Sequence, residues 1–334
     1  MTTSKKRAQI FKTANVAIFG RPNAGKSTLL NALLDVDFSA VSNRPNTTRK
    51  NIRGVLQSYN EAKEWDGQFS ILDTPGINLQ RGLLERSMHM SVEEALDQSQ
   101  IGIWIADAKV FSKDLTDISM QRGGGDKIPF WIDNQVRNNP QGLKWIILLN
   151  KADSVARNEL LPLIEKTIET FPEIKDVIPV SASAGKNYKE SNIDSLIKVI
   201  KEYAVEGEPT YTEETWTDLS ERALVENLIR ETIFQTTQKE VPYCTDATVV
   251  SFVTPPNEKL RKEVGAVIWV SKKNLKPMLV GAQGQKIKEI GITVRKRIKE
   301  ITGEDMILKL FVKVVERWEQ KTTSMQELGY EIQA

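Results

Sequence analysis

The stretch GRPNAGKST at residues 20–28 constrains this chain more than any other. It lies between the apolar run NVAIFG, which reads as a buried strand, and the run LLNALL, which opens like a helix. The spacing G-x-x-x-x-G-K-[ST] is that of a phosphate cradle. Its glycines let the main chain curl until several N–H groups point inward, the following helix adds the positive end of its dipole, and the lysine adds a full charge. Gly20, Asn23, Ala24, Gly25, Lys26, Ser27 and Thr28 are therefore the first candidate ligand-binding residues.

The same order of strand, loop and helix continues. The runs NVAIFG, FSILDTPG, IGIWIAD, KWIILLNK and DVIPVSA alternate with helix-like stretches as far as Tyr203, the pattern of an α/β fold with a mostly parallel sheet and helices on both faces. In NIDSLIKVIKEYAVEG, Ile193, Leu196, Ile197 and Ile200 share one helix face, with Asn192 expected to cap its start and Gly207 to follow its end. Residues 109–143 contain a triple glycine and little periodicity, and read as an irregular surface excursion without functional account. The polar stretch EGEPTYTEET, with Gly and Pro and no periodicity, reads as a linker. Beyond it the order becomes helix, strand, strand, helix, helix, strand, a smaller α+β domain. The expected division is residues 1–205, a linker at 206–216, and 217–334.

At 334 residues and 40% hydrophobic, the chain can bury two cores. A net charge of +2 points to no partner by itself, so a nucleic-acid surface must show as a local cluster. Cys244 is the only cysteine and His89 the only histidine, which excludes an internal disulfide, a Cys/His zinc site and a cysteine–histidine catalytic dyad built on several histidines. Cys244 is expected to be a small, at least half-buried hydrophobe, and His89 a helix residue. No stretch reads as a signal peptide or a transmembrane span. A cytoplasmic protein is expected, with peripheral membrane contact left open.

Three further motifs end apolar runs, and so would share a sheet edge with the phosphate loop. In LDTPG, Asp73 can hold Mg²⁺ through water and the amide of Gly76 can approach a terminal phosphate. In LLNKAD, Asp153 can accept from the adjacent N1–H and exocyclic amine of guanine, a pair adenine lacks. Asn150 would tie this loop to the first and reach the base, and Lys151 would cover the ring with its stem. In PVSAS, with Ser181 and Ala182, the Ala182 amide can donate to the guanine O6.

These motifs, with NTTR, resemble in type and order those of translational-class GTPases and, more narrowly, the Era family. The likeness runs through the second half as far as ELGY. It implies Mg-dependent hydrolysis of GTP to GDP and phosphate. Ser27 is then the direct Mg²⁺ ligand, joined by Thr48, with Thr47 as the close alternative. Lys26 and the loop amides supply charge. Ile77 stands where many signalling GTPases carry a glutamine; it has no donor or acceptor to orient water, and the resemblance implies that its side chain points away. Asn23 is implied to hold K⁺ against the phosphates, so that turnover is slow and K⁺-stimulated. The catalytic candidates are thus Asn23, Lys26, Thr48 and Gly76, and the metal ligands Ser27, Thr48 and Asp73.

In MLVGAQGQKIKEIG, Gly281 and Gly284 leave a loop that a nucleic-acid backbone can approach. Between residues 271 and 300, nine side chains are Lys or Arg against two acids, which is the local cluster sought above. This half resembles a type II KH module. Lys276, Gly281, Ala282, Gln283, Gly284, Lys286 and Lys288 are its candidate RNA-binding residues, although Ala282 and Gln283 depart from versions with a basic loop. The resemblance implies single-stranded ribosomal RNA near the 3′ end of the small-subunit RNA as partner, the small ribosomal subunit as context, and no DNA. Two alternatives differ in class. One is a GTPase whose basic domain docks on a protein or membrane surface; the other is a P-loop ATPase, which Asp153 disfavours.

Overall fold

A Gly-rich loop holds phosphate only if the strand before it is rigid, and the architecture supplies that rigidity. The computed structural model describes residues 10–36, 38–39, 47–77, 82–119, 128–184, 191–257 and 260–332. Strand β1 (Lys12–Phe19) lies inside a sheet ordered β2-β3-β1-β4-β5-β6, with β7 (Val205–Glu206) pairing antiparallel to its start. The partners are β2 (Ile52–Tyr59), β3 (Trp65–Asp73), β4 (Ile101–Asp107), β5 (Lys144–Asn150) and β6 (Asp176–Pro179). Apart from β7, every neighbour pair is parallel except β2 with β3.

Both faces of this sheet are covered, which is why its central strands read as unbroken apolar runs. Val16 and Ile18 of β1 pack in the core shared with α1 (Lys26–Leu34) and α6 (Ile193–Tyr203). Ala17 and Phe19 pack in the opposite core with α2 (Leu83–Asp97), α3 (Ala108–Ser119), α4 (Ile128–Asn138) and α5 (Arg157–Thr170). His89 lies on α2 as expected, edge-on to Trp131 at 4.8 Å.

Four details differ from the sequence expectations. Strand β2 is not among the apolar runs of the sequence; it follows a polar stretch and pairs antiparallel at the sheet edge. Within residues 109–143 the chain forms α3 and α4, whose Phe111, Leu115, Ile132 and Val136 are buried, so this is a helical layer and not an irregular excursion. The triple glycine lies outside the described residues. Helix α6 buries Ile193, Leu196 and Ile200, but Asn192 makes no side-chain cap bond, and the helix closes at Ala204, ahead of β7 and Gly207. Finally, the polar stretch before the second domain lies against the sheet. The Gln68 side chain meets the backbone of Thr210 and Tyr211 at 2.9 Å, and the Val55 N–H donates to the Trp216 carbonyl at 2.8 Å.

The second domain follows the expected order. Helix α7 (Glu221–Thr236), capped by Ser220, is followed by β8 (Thr245–Val253) and β9 (Lys262–Val270). Then come α8 (Lys276–Val280), α9 (Gln285–Thr302) and β10 (Met306–Val314), with a short α10 (Thr322–Glu327) after them. The sheet runs β10-β9-β8, with β9 and β10 parallel. Cys244 is half-buried, as expected of a small hydrophobe.

Candidate nucleotide site and nucleic-acid face

The carboxyl ends of β1, β3, β4 and β5 come to one rim, and β1 is the strand from which the order runs both ways, the place where doubly wound sheets bind ligands. The loop after β1 depends on its glycines. Gly20 has φ +153, and a Cβ there would stand 2.2 Å from the Ile105 carbonyl oxygen. Gly25 has φ +100, and a Cβ there would stand 2.1 Å from Asn150 Nδ2. A third close approach, between Gly76 and Pro22, would be broken by a Cβ 2.9 Å from the Pro22 Cα, so the DTPG turn seats directly on the phosphate loop. Ala24 is buried, Thr28 half-buried, and Asn23 is exposed with left-handed backbone at φ 63.

Inside the loop, Lys26 Nζ donates to the carbonyls of Gly20 at 3.2 Å and Arg21 at 2.9 Å. Burial pushes its pKa down to about 8. Beside it, Ser27 Oγ donates to Asp73 Oδ2 at 2.7 Å, Ser39 Oγ donates to the same oxygen at 2.9 Å, and Thr48 Oγ1 lies 2.9 Å from Ser27 Oγ. Asp73 Oδ1 is buried and has no hydrogen-bond partner among the described residues, and burial raises the pKa of its carboxyl. A desolvated carboxylate with an open oxygen, ringed by hydroxyls, is a donor set suited to a hard divalent cation. Ser27, Thr48 and Asp73 are thus brought together. Ile77 is buried in the core under α2 while its N–H donates to the Gly20 carbonyl, so its side chain does point away.

On the base side, Asn150 acts as a brace. Its Nδ2 donates to the Ala24 carbonyl at 2.8 Å, and its Oδ1 accepts the Ala182 N–H at 3.0 Å. This differs from the expectation that Asn150 and the Ala182 amide face the base, since both are engaged with each other; to meet a guanine O6 the Ala182 N–H must be shared. Asp153 keeps an exposed side chain, while its own N–H donates to Ser181 Oγ at 3.1 Å. Lys151 is held by Asp107 at 2.7 Å.

Asp107, Ser39 and Asp114 were not anticipated. Asp114 of α3 takes the Arg21 guanidinium through two bonds of 2.8 and 2.7 Å, which ties the phosphate loop to the helical layer of α3 and α4. Asp107 ends the run IGIWIAD and the strand-end rule that found Asp73 would have found it. Ser39 and Asp114 carry no sequence signal.

In the second domain, Gly281 (φ +72) and Gly284 (φ +77) bracket an exposed Ala282 and Gln283 between α8 and α9. Beside them α9 packs against the edge strand β10. A Cβ on Gly291 would lie 3.6 Å from Leu310 Cδ1, so the two elements approach closely, and Leu308, Leu310 and Val312 remain half-buried along β10. The basic cluster is partly neutralised: Lys272 pairs with Glu240 at 2.6 Å, Lys273 with Glu316 at 3.3 Å and Lys286 with Glu289 at 2.9 Å. Lys276 and Lys288 are exposed near the glycine loop.

Comparison with known proteins agrees with this layout. A family model described as 50S ribosome-binding GTPase matches residues 15–151, and one described as KH domain matches residues 240–319. The GTPase Era of Trichlorobacter lovleyi is 33% identical over 323 residues, covering 96% of this chain and 98% of the relative. That of Aquifex aeolicus is 35% identical, covering 96% and 99%. Among solved structures, a point variant of Aquifex aeolicus Era bound to GDP.AlF4- matches with TM-score 0.82 and 31% identity, over 96% of this chain and 100% of that one. An Era complex with MgGDPNP and nucleotides 1506–1542 of 16S ribosomal RNA matches with the same figures.

Proposed function

Since this chain belongs to the Era family of GTPases, we propose that it hydrolyses GTP at the sheet rim and holds single-stranded small-subunit ribosomal RNA on its second domain, acting in small ribosomal subunit maturation. The relative solved with MgGDPNP and a 16S RNA segment supports both halves of this reading. A cytoplasmic location goes with it. Among the described residues no helix is long and apolar enough to cross a membrane.

The triphosphate would lie over the amides of residues 20–28 with Lys26 beside it, in the manner of other Gly-rich loops at helix starts. A Mg²⁺ ion, when bound, would neutralise phosphate charge, with Ser27 and Thr48 as ligands and Asp73 through water. Lys26 then faces an anion instead of carbonyls alone, which favours its charged form. Asp153 reads the guanine edge, and Asn150 keeps base loop and phosphate loop at a set distance. Attack on the terminal phosphate needs water positioned near Gly76. Ile77 offers it nothing, so Asn23 with K⁺ is our candidate for the missing charge.

The observation that carries this reading is the Asn150 brace, because it makes the phosphate cradle and the base reader one site. Competition of ATP against labelled GTP tests it, with Asp153→Asn alongside. Two charge-assisted bonds are at stake, together about 3 kcal/mol or more, so the variant should bind GTP about 100-fold more weakly. Wild-type protein that binds ATP as well as GTP would overturn the assignment.

A further inference from the structure

Thr48 and Arg49 are neighbours in sequence whose side chains end in different domains. Thr48 directs its hydroxyl to Ser27 and Asp73. The Arg49 side chain turns the other way and is only 2% exposed, inside the second domain. Its Nη1 donates to the Thr245 carbonyl at 2.8 Å and to Asp246 Oδ2 at 3.2 Å. Its Nη2 donates to the carbonyls of Pro242 at 3.2 Å and Tyr243 at 3.3 Å. The guanidinium carbon stands 5.7 Å from the ring centroids of both Phe234 and Trp318. Asp246 is held in turn by Arg230 Nε at 2.9 Å and by the Tyr330 hydroxyl. Lys50 continues the attachment, with Nζ donating to the Leu328 carbonyl and lying 5.1 Å from the Tyr330 ring centroid.

A planar fork of N–H donors whose faces can rest against aromatic rings is what this socket requires, and lysine cannot supply it. Consecutive Cα atoms are about 3.8 Å apart, so there is no slack between the two attachments. A shift of the second domain moves Thr48 with it.

We propose that Arg49 is a positioning residue for the GTP reaction, through which the seating of the second domain holds Thr48 at the phosphate site. This rests on the reading of that site as one that binds and hydrolyses GTP. Coupling is reciprocal: if the seated domain tightens GTP, then GTP tightens the seating by the same factor. GDP has no terminal phosphate for the Thr48 segment to report, so its affinity lies outside the coupling.

The test uses the full chain with Mg²⁺ and compares equilibrium affinity for a non-hydrolysable GTP analogue and for GDP. Wild type, Arg49→Ala, Asp246→Asn and the double variant are measured, with Arg49→Lys as a milder change should Asp246→Asn fail to fold. The expected result is about tenfold weaker analogue binding in each single variant, GDP binding unchanged, and no further loss in the double. Arg49→Lys should show the same selective loss. Equal weakening of analogue and GDP, full additivity in the double, or an unchanged GTP-over-GDP preference in Arg49→Ala would overturn the proposal. A wild-type protein indifferent between GTP and ATP would instead overturn the underlying assignment.

Discussion

Single residues at the rim divide into those whose chemistry is visible in the chain and those that acquire a role from a neighbour. Lys26, Asp73 and Asp153 belong to the first group, because a charge at a strand end or in a Gly-rich loop has few other uses. Asn23 is assigned by the family resemblance alone, and its function is a proposal. It sits exposed on the loop in left-handed backbone. We expect faster GTP hydrolysis by wild type in K⁺ than in Na⁺, with the difference lost in Asn23→Ala. Four equal rates would remove the idea. Asp114 belongs to the second group: in sequence it is an ordinary helix carboxylate, and it is given its task by a cation 93 residues away.

At the scale of elements, periodicity and strand-end position account for most of what was legible. The central strands announced themselves because burial on both faces demands continuous apolar runs. Strand β2 did not, because a sheet-edge strand can carry Arg53, Gln57 and Ser58 among its apolar residues without penalty. Helices α3 and α4 were hidden by the glycines between them, although Phe111, Leu115 and Ile118 fall at helical spacing and are buried. In the second domain the glycine loop invites a direct test. A Cβ at Gly281 would meet the Lys286 N at 2.9 Å, whereas Gly284 has open space, so Gly284→Asp adds charge with less strain than the Gly281→Asp plus Gly284→Asp pair. We expect either variant to lose at least about tenfold in affinity for single-stranded RNA, since a carboxylate then faces the phosphates. Filter binding would read this, with circular dichroism as the check on folding. Unchanged RNA binding, or binding to anionic vesicles alone, would favour the protein or membrane docking role instead.

The whole molecule is joined through charges buried at the domain boundary. Asp246 meets Arg230 and Arg49, with the Tyr330 hydroxyl on one oxygen and Lys50 and Glu226 nearby. Burial alone would push its carboxyl up, but Arg230 and Arg49 hold it well below the usual carboxylate range. A depressed folded value means that the unfolded chain binds the proton first. The stabilisation is therefore complete above about pH 4, the unfolded carboxylate value, and is lost as acid is added below it. Asp246→Asn should destabilise the second domain by about 3–5 kcal/mol at pH 7, because it strands two buried cations. Urea titrations should show that the gap from wild type persists down to about pH 4 and narrows only below. A gap that closes already near pH 6 would mean another group carries the pH dependence.

What the amino-acid order determined by itself was the set of local structures with short-range causes: a glycine loop between strand and helix, carboxylates at strand ends, a helical face of isoleucines, a second glycine loop beside lysines. These follow from backbone sterics and periodicity, which act within a few residues. What only the tertiary structure decided was pairing across distance. Asn150 braces two loops, Arg21 finds Asp114, and Arg49 leaves the site of its neighbour Thr48 for Asp246, because the partner of a buried polar group is set by which surfaces the fold brings into contact.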